Sequence, residues 1–335
     1  MVPPMTDVPG VEHEFVRANG LRFHVATCGA GDRLALCLHG FPECWYSWRN
    51  QMPLLAELGY RVWAPDLRGY GETDRPGRVQ DYAIERLLED AAGLIDAAGA
   101  RSTLLIGHDW GGIIAWYFAL RRVRPLARLV VMNLPHPAVI ERALRHWWQL
   151  RRSWYVFFFQ LPRLPEALLR ARDYRAIGEA FRAMAVDKSR FPDAVLRVYR
   201  AAAARPGALT AMLNYYRALL RGSGRRQRAL GYPLIETPTL LLWGEEDRAL
   251  AKATTYGTER YVPNLTLRYL PAVSHWIQQE APETVNAMLW AWLSDQPVPE
   301  AGLLAARSSV VGRRSSAEAP LPADGDPQLL PTTDD

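Results

Sequence analysis

Three cysteines in 335 residues, Cys28, Cys37 and Cys44, are too few and odd in number for a disulfide framework, and none stands at metal-ligand spacing from a histidine. They read as small residues near the first strands, so neither a metal nor another cofactor is expected. Lysine is scarcer, with Lys188 and Lys252 the only two among 40 basic residues. No apolar run approaches the roughly 18 residues that span a bilayer, and Met1-Val2-Pro3-Pro4 lacks the charged-then-apolar pattern of a signal peptide. A cytoplasmic protein is expected. The net charge is +5, but the basic residues lie interleaved with acids over most of the chain, which argues against a nucleic-acid partner. Internal repeats are lacking too.

What remains is a chain with 49% hydrophobic and 22% charged residues, long enough to bury a large core. Glu12–Val16 and Leu21–Ala26 read as a hairpin about Asn19-Gly20, two residues that tolerate positive φ. Apolar runs follow at Leu34–Leu38, Val62–Ala64, Leu104–Ile106, Leu129–Met132, Leu240–Trp243 and Leu267–Leu270, several separated by helical stretches such as Ile84–Ala98. Alternating strand and helix implies an α/β fold with a mostly parallel sheet covered by helices. The alternation lapses over 136–232, which is helix-rich and aromatic and reads as an inserted helical cap. Residues 1–135 and 233–296 then form the core. Residues 297–335, rich in Pro, Ala, Ser and Asp, are expected to be a disordered tail.

In Gly107-His108-Asp109-Trp110-Gly111-Gly112 small residues flank Asp109 on both sides, with an apolar strand before and a helix after. That is the pattern of a nucleophile elbow, a strained strand-to-helix turn that presents its central side chain. An aspartate there needs no base to become nucleophilic, and it attacks sp³ carbon bearing a leaving group to give an ester. A second loop, His39-Gly40-Phe41-Pro42, directly follows a strand and can aim the Phe41 N–H, with that of Trp110, at an oxyanion. His39 reads as a histidine that hydrogen-bonds within this turn. The acidic turn Gly244-Glu245-Glu246-Asp247 follows another strand, with Asp247 the preferred acid and Glu246 an alternative. His275, after the last strand, completes the order nucleophile, acid, histidine and would activate water. The acid could instead follow Leu129–Met132, but Asn133 stands there.

These segments together resemble the soluble-type epoxide hydrolases of the α/β-hydrolase fold over roughly residues 10 to 295. The resemblance rests on His39-Gly40-Phe41-Pro42-Glu43, Trp45-Tyr46-Ser47-Trp48-Arg49, Asp66-Leu67-Arg68-Gly69-Tyr70-Gly71, the elbow, the cap segments, Asp247 and His275-Trp276. It implies a small-molecule epoxide and water as partners, a vicinal diol as product and a cis bond before Pro42. It also implies two cap tyrosines that hydrogen-bond the epoxide oxygen. Tyr155 and Tyr216 take those places, although Tyr215 is adjacent and the aromatics by themselves read as cap packing. A haloalkane dehalogenase shares the Asp-Trp elbow but needs N–H donors where Phe41 stands. A binding protein that has kept the fold without turnover is the other alternative. Arg145, Arg151 and Arg152 with Trp147, Trp148 and Trp154 read either as the cap's core and rim or as a peripheral membrane contact. The oligomeric state stays open.

Overall fold

The computed structural model describes residues 8–303. Eight strands form one sheet in the order β1-β2-β4-β3-β5-β6-β7-β8. They are β1 (Glu12–Ala18), β2 (Leu21–Cys28), β3 (Arg33–Leu38), β4 (Arg61–Pro65), β5 (Ser102–His108), β6 (Arg128–Met132), β7 (Thr239–Gly244) and β8 (Leu265–Leu270). The first hairpin pairs Ala18 with Leu21, so Asn19 and Gly20 form a two-residue turn with φ of 45° and 74°. β2 joins β4 antiparallel, and every later pairing is parallel. The apolar runs of β3, β5, β6 and β7 are buried almost throughout, as expected of parallel strands covered on both faces. β1, at an edge, is mostly exposed.

Helices α1 (Met52–Glu57), α2 (Ile84–Ala98) and α3 (Trp110–Leu120) connect the first parallel strands. Seven more lie between β6 and β7: α4 (Pro137–Ala143), α5 (Trp147–Arg152), α6 (Trp154–Phe158), α7 (Leu164–Met184), α8 (Asp193–Ala204), α9 (Ala208–Ala218) and α10 (Gly224–Leu230). α7 is broken at Ala171–Tyr174, where three consecutive residues have positive φ. Two helices, α11 (Ile277–Glu280) and α12 (Pro282–Leu293), follow β8.

The ordered chain runs past the expected boundary at 296. Val298 is buried, and its carbonyl accepts hydrogen bonds from the Arg268 guanidinium at 3.0 and 2.8 Å, which anchors this stretch to β8. The rest of the expected tail, 304–335, lies outside the described residues. Among the described residues no helix is long and apolar enough to cross a membrane. The three cysteines are buried and free.

Candidate active site

β5 is central in the sheet, and ligands of such sheets bind beyond the carboxyl ends of the strands. There Asp109 takes φ 47° and ψ −115°, a backbone conformation that costs energy for any residue with a Cβ. Its neighbours have no room to be larger. A Cβ on Gly111 would sit 1.9 Å from the Leu38 carbonyl oxygen, and one on Gly107 would sit 2.3 Å from that of Gly111. The Gly111 N–H donates to the His39 carbonyl at 2.9 Å, fastening the elbow to the loop after β3.

That loop supplies one donor to the carboxylate: Phe41 N–H reaches Asp109 Oδ1 at 2.8 Å. The Phe41–Pro42 bond is cis, and a Cβ on Gly40 would collide with Asp109. Trp110 opens α3, where a backbone N–H has no intrahelical acceptor. His39 is wholly buried; its Nδ1 lies 2.9 Å from the Gly40 carbonyl and its Nε2 accepts the Leu67 N–H at 3.0 Å. Burial lowers its pKa. With one ring nitrogen donating and the other accepting, it braces the turn as a neutral ring.

His275 joins the two acids. Its Nδ1 is 2.6 Å from Asp247 Oδ2, and its Nε2 is 3.6 Å from Asp109 Oδ2. Burial by itself would lower the His275 pKa, but the neighbouring carboxylates of Asp247 and Asp109 prevail and raise it from 6.5 to about 10. Burial opposes ionisation of Asp109 as well, yet His275 holds its pKa below the usual carboxylate value. Both shifts favour a carboxylate at Asp109 beside an imidazolium at His275. Asp247 is fixed in turn by the Ala249 and Leu250 N–H groups at 2.7 and 2.9 Å. Glu246, the alternative acid, is exposed.

Across a cavity of about 530 Å³, lined mostly by apolar groups, Asp109 faces Tyr155 and Tyr216. Their rings stand 5.8 Å apart, and Tyr216 packs edge-on against both Phe41 and Trp110. Tyr215 turns away and donates its hydroxyl to the Arg68 carbonyl at 2.8 Å. Burial, and then the Asp109 charge, push both cavity phenols above their ordinary pKa of 10.

A family model for the alpha/beta hydrolase fold matches residues 36–282. The chain belongs to that family. It is 41% identical over 290 residues to the AB hydrolase superfamily protein YfhM of Bacillus subtilis, covering 86% of this chain and 99% of that one. It is 40% identical to Epoxide hydrolase 4 of Mus musculus, over 84% of this chain and 79% of that one. A Bacillus megaterium epoxide hydrolase solved with an inhibitor superposes with a TM-score of 0.77 at 29% identity, over 84% of this chain and all of that one. Epoxide Hydrolase A of Mycobacterium thermoresistibile gives 0.74 at 30% identity, over 86% and 100%. The resemblance to epoxide hydrolases thus extends along most of this α/β-hydrolase.

Several of its polar residues had no role in the sequence reading. Asn133, considered there only as a missing acid, donates to Asp247 Oδ2 at 2.9 Å and accepts the Gly244 N–H at 2.8 Å, tying β6 to the turn after β7. Its φ of 43° is one that asparagine tolerates. Behind Asp109, His108 bridges Glu43 at 2.8 Å and the His275 carbonyl at 2.9 Å. Glu43 also accepts from Gly40 N–H, Gln278 and Gln279. In the insertion, Arg217 donates to Glu166 and to the Phe159 carbonyl. This buried pair fastens the segment carrying Tyr155 to the helix carrying Tyr216. Among the described residues no cluster of His, Cys, Asp or Glu is arranged to hold a metal.

Proposed function

We propose that this hydrolase opens epoxides to vicinal diols through an ester on Asp109, with residues 136–232 acting as a cap that excludes water from the first step. The observation that carries the reading is the carboxylate at the strained elbow sharing a mostly apolar cavity with two phenols, Tyr216 buried and Tyr155 partly buried. Asp109 Oδ1 is held by the Phe41 amide, so Oδ2 is the oxygen free to attack a ring carbon. As the new C–O bond forms, the ring C–O bond breaks and its electron pair stays on the departing oxygen. Tyr155 and Tyr216 donate hydrogen bonds to that oxygen and supply its proton. The Asp109 charge that raises both phenol pKa values disappears in the same step, so they become better acids when a proton is required.

Ester formation has a second consequence. Neutralising Asp109 removes one of the two carboxylates that keep His275 charged, which favours release of its proton and turns the ring into a base. His275, oriented by Asp247, then takes a proton from water while the hydroxide oxygen adds to the ester carbonyl carbon. The Phe41 and Trp110 amides hold the resulting oxyanion; as it collapses the ester C–O bond breaks, the departing alkoxide takes the proton of the added hydroxyl, and the diol leaves with one oxygen from Asp109, whose carboxylate is restored. Solvent exchange restores the phenol protons. No cofactor enters this scheme.

The test uses the His275→Gln variant, which should form the ester once and stall. Intact mass should show a single adduct equal to the epoxide, mapped to Asp109, while the wild type makes diol continuously. Bromide release from a bromoalkane without diol from styrene oxide or a long-chain epoxide would point to the dehalogenase reading. Neither adduct nor product would point to a binding protein.

A further inference from the structure

The insertion carries the positive charge of the molecule. Residues 136–232 hold 19 of the 40 basic residues but 6 of the 35 acidic ones, for a formal charge of +13 against −8 for the rest of the chain. Interleaving with acids is therefore a property of the core. Within the insertion no acid occurs between Arg142 and Pro165 or between Ala194 and Ile235. Some of its arginines are paired, among them Arg182, Arg200 and Arg217. Arg145, Arg151 and Arg163 are exposed and have no carboxylate partner among the described residues.

The same stretch exposes its largest apolar side chains. Trp147 is 74% exposed, Trp154 62% and Phe157 54%, so these aromatics are not the core of the insertion. Leu144, Phe157 and Leu220 are both exposed and part of the cavity lining, which makes them its rim, and Arg145 stands with them. Large apolar residues grouped about a cavity mouth and flanked by unpaired cations are unusual for a surface that faces only water.

We propose that this rim docks on an anionic lipid surface, placing the cavity mouth at the boundary between headgroups and acyl chains. Tryptophan partitions to that boundary, phenylalanine and leucine enter the acyl region beneath it, and arginine is drawn to anionic headgroups. Self-association through a two-fold axis would set this cationic face against its own copy. No described helix can cross the bilayer, so the contact is interfacial. What enters from the membrane rests on the epoxide reading: an apolar epoxide dissolved in the bilayer would reach Asp109 without passing through water. Docking itself does not depend on that reading.

The test is co-sedimentation of the full chain with phosphatidylcholine vesicles, with and without phosphatidylglycerol, at low and high salt. The wild type should bind the phosphatidylglycerol vesicles, lose binding as salt rises, and leave the neutral vesicles largely unbound. Trp147→Ser combined with Arg151→Glu should abolish binding, as should Arg163→Glu with Trp147→Ser. These side chains do not line the cavity, so the variants' turnover of styrene oxide without vesicles should match the wild type and report intact folding. Wild-type protein remaining in the supernatant at low salt would overturn the proposal, as would unchanged binding by both variants. A concentration-dependent dimer lost in the same variants would also overturn it, by assigning the face to self-association. Vesicle binding by a wild type that makes no diol would leave docking standing and remove the epoxide reading alone.

Discussion

Asp109, Asp247 and His275 stand beyond the carboxyl ends of the parallel strands β5, β7 and β8, whereas Tyr155 and Tyr216 stand on helices inserted between β6 and β7. The core's groups are charged and are held by backbone amides and by each other: Phe41 N–H on Asp109, Ala249 and Leu250 N–H on Asp247, and His275 between the acids. The insertion's groups are neutral phenols held by ring packing and by one buried ion pair, Arg217 with Glu166. In the proposed reaction, developing charge would thus be kept at the strand ends. The insertion would then present only neutral groups to the substrate.

The largest effect should come from the core. Asp109→Asn keeps the shape of the elbow but removes the attacking oxygen, and diol formation should fall by about ten-thousandfold or more. Steady-state turnover of styrene oxide checks it; retention of a tenth of the activity would end the covalent mechanism. Next comes the insertion's fastening. Arg217→Met leaves Glu166 buried without its partner, a loss of about 3 kcal/mol. Because the pair lies entirely within the insertion, hydrogen exchange should rise at Leu164–Met184 and Ala208–Ala218 while β5 and β6 stay protected. Uniform loss of protection would mean that the two regions unfold as one unit.

Smaller again is the loss of a single phenol. Tyr155→Phe or Tyr216→Phe should each slow ring opening by about 10- to 100-fold, because the remaining hydroxyl still reaches the epoxide oxygen. The double variant should lose nearly all of it. Measured in a single turnover, the defect belongs to ester formation and not to ester hydrolysis. A defect confined to hydrolysis would move the phenols out of the role proposed for them.

The same division governs what can be read from the sequence. The strands are legible because a covered parallel strand is an unbroken apolar run, and the structure alters mainly their ends, β1 reaching Ala18 and β5 starting at Ser102. The elbow is legible because the residues it constrains lie close together in sequence: Gly107 and Gly111, which have no room for a Cβ, stand two positions to either side of Asp109. Asn133 escapes because its bond to Asp247 spans 114 residues and neither type announces the pairing. Arg217 and Glu166, 51 residues apart, look like ordinary surface charges until both are found buried. Trp147 and Trp154 mislead in the opposite direction, since clustered aromatics usually pack and these are exposed. Tyr215 and Tyr216 differ only by which face of one helix each occupies, and the sequence does not show that Tyr215 turns its hydroxyl to the Arg68 carbonyl.

A further expected effect is on pH-dependent stability, and it depends on the core alone. The His275 pKa is raised in the folded state from 6.5 to about 10 by the carboxylates on either side. Proton binding to the ring therefore stabilises the fold fully below about pH 6.5, and that contribution is lost as pH rises toward 10. The wild-type melting temperature should drop across this window, and His275→Gln should drop less because it has no proton to lose. Wild-type enzyme carrying the Asp109 ester, held by stopping the reaction in single turnover, should lie between the two, since one of the carboxylates that raise the pKa has been neutralised. Arg217→Met should keep the full wild-type slope, because its damage lies in the insertion, away from the charges at the strand ends. Equal slopes in wild type and His275→Gln would show that the two acids do not hold the imidazolium, and the argument that esterification converts His275 into a base would lose its premise.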